Sequence, residues 1–186
     1  MAMPSGLRKV ALTAHVASSV GWLGSVAAFL ALAIGGLTHE DPQGVRGAYL
    51  AMDVTAWYVI VPLAFASLLT GLVQSLGTPW GLLRHYWVLA KLVLTIVATF
   101  LLLLHMQVVE KVADMAAGTP LSGSDLEGMK VQLVFDAAAA VAVLLTTTAL
   151  SIYKPRGITR YGWRVQQDQR TDRRGGAVDA TAPARA

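Results

Sequence analysis

Six polar side chains interrupt stretches that are otherwise apolar, and they fall into two sets. His15, Gln74 and Lys91 form the first, and Asp53, His105 and Asp136 the second. A neutral imidazole is a common ligand for iron. A lysine beside it can act as a second ligand, as the charge partner of an anionic group, or as a buried amine that has lost its proton by desolvation. The first set therefore suits a cofactor site, and it also suits hydrogen bonding between helices, worth about 1 kcal/mol per contact. The second set suits proton or metal handling, because carboxylates and an imidazole can share protons or ligate a cation. Met52, Met106 and Met129 add thioethers of the kind that bind Cu(I). His39 and His85 lie outside the apolar stretches and read as loop residues.

These residues must be positioned by a membrane domain. The chain has 186 residues, of which 55% are hydrophobic and 14% charged, against about 25% charged in soluble domains. It has no cysteine, which excludes disulfides, thiolate metal sites and cysteine nucleophiles. The net charge of +4 collects near the C-terminus, where basic residues set membrane topology, so no nucleic-acid partner is expected. Four apolar blocks reach the roughly 20 residues that a helical span needs. They run approximately over 10–34, 50–76, 87–109 and 131–153. The first is too long for a signal-peptide core of about 7–15 residues and is read as a retained span.

The connections fit that count. THEDPQGVRG carries the turn residues Pro42, Gly44 and Gly47, SLGTPWGLLRHYW makes a short turn, and GTPLSGSDLEG breaks the chain before the last span. QVVEKVADMAA extends the third helix beyond the membrane surface. Arg8, Lys9, Arg84, Lys154, Arg156, Arg160 and Arg164 share one side, while Glu40, Asp41, Glu110, Asp114, Asp125 and Glu127 share the other. The positive-inside rule places both termini in the cytoplasm. The expected fold is all-α: a four-transmembrane-helix bundle over 1–153 with both termini cytoplasmic. A basic, flexible tail over 154–186 completes the chain.

Helical periodicity gives each span one polar or small-residue face. These faces are His15, Ser18, Ser19, Trp22 and Ser25 on the first span, and Asp53, Trp57, Ile60, Ala64, Ser67, Gly71 and Gln74 on the second. Lys91, Thr95, Ala98, Leu102 and His105 follow on the third, then Asp136, Ala140, Val143 and Thr147 on the fourth. Depth sorts them into two layers. His15 and Lys91 each lie about 8–12 Å inside the span, with Gln74 near that level, whereas Asp53, His105 and Asp136 lie toward the opposite surface. His15 and His105 are then roughly 20 Å apart along the normal, too far to ligate one iron. Gly21, Gly24 and Gly71 should permit close helix approach. Pro62 should kink the second span, because it removes a backbone donor.

His15, Trp22 and Gly24 form H-x6-W-x-G in a first span, and YWVLAKLVL opens the third span with Lys91. Together these resemble small four-helix bacterial membrane proteins around the HemJ-type protoporphyrinogen oxidases and the CopD-type copper-resistance membrane domains. The span order, and phrases such as LLTGLVQSLG over Leu68 to Gly77, resemble actinobacterial membrane proteins without a defined activity. The resemblance implies a bacterial plasma membrane, and in the HemJ type it implies haem b held through His15 and Lys91. HemJ-like proteins carry a later third-helix histidine nearer the lysine than His105 is to Lys91, so the likeness favours haem binding over porphyrinogen oxidation.

No large soluble domain, nucleotide motif or soluble cleft with paired carboxylates is visible in the sequence. The expected function is therefore that of a non-catalytic accessory or binding subunit in the lipid bilayer. Its expected partner is another membrane protein or a second copy of the chain. A haem-b redox protein using His15 is the alternative, followed by metal or proton handling at the His105, Asp53 and Asp136 layer.

Overall fold

The computed structural model describes residues 3–77, 85–118 and 124–153, together with 157, 159, 160, 162–164, 167 and 171. All its long elements are helical, and no strand occurs among the described residues. Helix α1 spans Ser5–Thr38, α2 Pro42–Thr55, α3 Val61–Gly77, α4 Tyr86–Gly118 and α5 Ser124–Tyr153. A π-helical turn over Ala56–Ile60 joins α2 to α3, so these form one long segment. Among the described residues four segments are long and apolar enough to cross a membrane: Ser5–Thr38, Pro42–Gly77, Tyr86–Gly118 and Glu127–Tyr153. They share a cyclic arrangement in which α1 and α4 each contact the α2–α3 segment on one side and α5 on the other.

The helices exceed the apolar blocks at every end but the last, since α5 and the fourth block both stop at Tyr153. The sequence THEDPQGVRG does not form an open turn throughout, because α2 begins at Pro42 and includes Gly44 and Gly47. Asp41 is its N-cap, and its carboxylate accepts from the Gly44 N–H at 2.8 Å. Proline suits the next position, where its missing N–H would have had no intrahelical partner. Residues 78–84 and 119–123, the middles of the two other expected connections, lie outside the described residues, and the SDLEG end of the second is already helical because α5 begins at Ser124. Most of the expected tail also lies outside the described residues. Within it, the Gly157 carbonyl accepts from the Tyr86 N–H at 3.4 Å, and Thr159 caps a short helical turn by accepting from the Gly162 N–H at 3.1 Å.

Pro62 acts through the turn before it. With no N–H at Pro62, the local ladder cannot keep its α-helical pattern, and the Val61 N–H reaches back to the Ala56 carbonyl. The wider turn adds a residue and rotates the face that the 3.6 period assigns. Ser67 consequently faces α1, where its hydroxyl meets Ser19 at 2.8 Å, whereas Trp57 is half-exposed and donates to Glu110 of α4 at 3.0 Å. The expected single face from Asp53 to Gln74 is therefore broken at the π turn.

Dense apolar packing concentrates in the half of the bundle away from the N-terminus of α1 and the C-terminus of α5. Trp22, Val26, Phe29 and Ala33 meet Tyr49, Met52 and Ile60 there, with Met106, Val109 and Leu133 closing the core. The outward faces carry Val10, Val20, Leu69, Phe100, Phe135 and Ile152, all exposed. An apolar exterior on this scale suits hydrocarbon rather than water.

Small residues admit neighbours at selected points. A Cβ on Gly21 would lie 3.3 Å from Leu63, so α1 and α3 are close there, but Gly24 has nothing within 4 Å and serves no close approach. Gly36 is the tightest case within the core. A Cβ there would fall 2.7 Å from Cζ of Tyr49, a side chain only 1% exposed. Gly36→Ala should destabilise the protein by about 1–3 kcal/mol through overpacking. The Tyr49 hydroxyl is buried without a hydrogen-bond partner among the described residues, so Tyr49→Phe alone should be neutral or stabilising. Thermal unfolding in detergent checks both; a destabilising Tyr49→Phe would reveal a partner for the hydroxyl.

Candidate functional site

His15 sits on α1 where α3 comes close. Its Nδ1 lies 3.2 Å from the Ser67 carbonyl and 3.1 Å from Oγ1 of Thr70. The carbonyl can only accept, and the Thr70 hydroxyl already donates to the Ala66 carbonyl at 2.6 Å. Nδ1 therefore carries the proton, and Nε2 keeps a lone pair with no hydrogen bond to a described residue. Outer hydrogen bonds of this kind fix the tautomer and orientation of ligating histidines. Gly71 makes room for the ring, because a Cβ there would stand 3.0 Å from Cε1 of His15.

The imidazole lines a cavity of about 630 Å³ between α1, α3, α4 and α5. Gln74, Lys91, Thr95 and Thr147 line the same space, as does Arg8. His15, Lys91 and Gln74 are thus brought around one cavity, without hydrogen bonds between them. Lys91 reaches α5, where its ammonium donates to Ser151 Oγ at 2.5 Å, and it lies 5.8 Å from the centre of the Trp87 ring. An ammonium has three donors, and no carboxylate pairs with it among the described residues. Gln74 Nε2 is buried and also lacks a partner there. Among the described lining residues two are cationic and none is a carboxylate.

The second set assembles only in part. His105 of α4 donates from Nδ1 to Asp136 Oδ2 of α5 at 2.9 Å. Asp53 joins neither of them; its electrostatic neighbours are Glu110 and Asp114 on α4. Its Oδ1 is buried without a hydrogen-bond partner. No group of three or more His, Asp or Glu able to hold a metal occurs among the described residues, so the expected metal set of His105, Asp53 and Asp136 does not form. Asp53 faces α4 at a different level, since Glu110 and Asp114 lie five and nine residues beyond His105, about 8 and 14 Å along the helix. Met52 and Met106 lie in the apolar core, and Met129 packs against it.

Several partners were not singled out from sequence. Thr70 and Ser151 each lie one helical turn from a residue already placed on an interior face, Ser67 and Thr147, so periodicity could have found them. Arg46 carried no such signal: it donates to the carbonyls of Ala116 and Ala117, capping the end of α4 across the bundle. No known protein family, curated protein or solved structure matches the chain.

Proposed function

We propose that this chain is a multi-pass membrane protein, with both termini in the cytoplasm, that binds a largely apolar anionic ligand in the cavity around Lys91. It serves as a binding or accessory subunit, with no catalytic group of its own. The observation that carries this reading is Lys91 itself: a cation inside a span, lining a cavity of about 630 Å³, with no carboxylate beside it among the described residues. An uncompensated cation in a low-dielectric interior is costly, and an anion offsets that cost. The Leu, Val and Trp side chains that share the lining with hydroxyl groups favour a ligand whose body is hydrocarbon or aromatic. The cytoplasmic placement of the termini rests on the distribution of Arg and Lys along the chain.

The test compares a fluorescent long-chain carboxylate with its methyl ester on the purified protein in detergent. The carboxylate should bind at least about tenfold more tightly, and Lys91→Met should remove that preference. Equal affinities for acid and ester in the wild type would overturn the reading.

A second reading narrows the ligand to haem b, and a separate observation favours it. His15 has its Nδ1 proton fixed by Ser67 and Thr70, leaving Nε2 as a ligand lone pair on the same cavity. His15 would hold the iron, while Lys91 and Arg8 supply cations suited to propionates. When bound, haem would supply one-electron redox chemistry. The chain's own contribution is to orient the imidazole, neutralise the carboxylates and exclude water.

A further inference from the structure

Away from the cavity around Lys91, the His105–Asp136 pair lies in a second space of about 410 Å³. Trp22 and Leu144 border both spaces and stand between them. Exposed residues of two helices line this second space, Leu101 and Leu104 of α4 with Gln132 and Ala139 of α5. It is therefore a crevice that opens sideways between α4 and α5, with its floor formed by the core. Asp136 lies about 8 Å beyond residue 131, where the apolar block of the Glu127–Tyr153 span begins, at 1.5 Å per residue.

The pair leaves a charge there. His105 Nε2 is sealed and has no hydrogen-bond partner among the described residues. The tautomer that leaves no buried N–H unpaired is the neutral one, with its proton on Nδ1 and donated to Asp136. The carboxylate then keeps its negative charge, and its side chain remains 37% exposed on the crevice. No lysine or arginine lines the crevice among the described residues, but the aromatic rings of Trp22 and Phe29 do. A carboxylate and aromatic rings lining one apolar crevice are the chemistry that recognises a cation whose charge is carried on a hydrophobic body.

We infer that the crevice between α4 and α5 is a binding site for a lipophilic organic cation, with Asp136 as its counter-ion and His105 as the residue that holds the carboxylate in place. Lateral opening gives such a molecule direct entry from the bilayer. The two spaces thus have opposite preferences: the one around Lys91 takes an anion, and this one takes a cation.

Equilibrium dialysis of the full-length protein in detergent with tritiated tetraphenylphosphonium tests this site. Saturable binding near one per chain is expected, weakened at least about tenfold in Asp136→Asn. Ala140→Leu, which fills the crevice wall without touching the charge, should also weaken it. Tetraphenylborate, measured in separate samples, has the same shape and the opposite charge, and its binding should not respond to Asp136→Asn. Non-saturable uptake of the cation, or saturable binding that survives both substitutions, would overturn the assignment.

Discussion

His105→Ala should destabilise the protein by about 1.5–3 kcal/mol, the scale for losing a hydrogen bond to a charged group. The loss comes from the carboxylate left behind, because Asp136 accepts its 2.9 Å hydrogen bond from His105 and has no other described partner. Asp136→Leu should destabilise less, since the imidazole it strands can stay neutral. Combined with His105→Ala, it should recover most of the loss. Asp53→Asn should add to either change within about 0.5 kcal/mol, because Asp53 makes no hydrogen bond or ion pair with this pair. Unfolding midpoints in one detergent at neutral pH decide it. A double variant as unstable as the sum of its parts would mean that the two side chains do not depend on each other.

The second large effect concerns His15. If the ligand of the inner cavity is haem b, wild-type protein made with haem available shows a Soret band, and His15→Ala abolishes it. Lys91→Met should shift or weaken the band. Gly71→Val should weaken it as well, because the added atoms occupy space taken by the His15 ring, whose Cε1 would lie 3.0 Å from a Cβ at that position. His39→Ala should do nothing, since His39 is exposed at the end of α1. A Soret band that persists unchanged in His15→Ala rules out the ligand role. A colourless wild type removes haem and leaves the binding of carboxylates through Lys91 to stand or fall on the comparison of acid with ester.

The two sites also explain the uneven packing of the bundle. Dense apolar contacts occupy the half from Trp22 to Ala33 on α1, and hydroxyl groups with the cations occupy the half nearer the termini. Ser18, Ser19, Ser67 and Thr70 satisfy one another and nearby carbonyls across α1 and α3. Such contacts hold helices in register at little energetic gain, and they leave volume that large apolar side chains would have filled.

The sequence by itself determined the four apolar segments, because crossing hydrocarbon requires a length of helix that can be counted along the chain. It also placed His15, Lys91 and Thr147 on interior faces, since a charge or hydroxyl turned to lipid is costly and periodicity shows which face it shares. Tertiary structure alone decided which of these residues meet. His15 bonds to Ser67 and Thr70 rather than to Lys91, because α3 is the neighbour that Gly71 allows near it. Asp136 meets His105 while Asp53 stays apart, because Asp53 faces Glu110 and Asp114 further along α4, and the π turn before Pro62 turns Trp57 out of the face drawn for the second segment. A one-dimensional pattern fixes the rotation of residues along one regular helix, but the order of helices around the bundle and a break in the ladder are set by packing between segments distant in sequence.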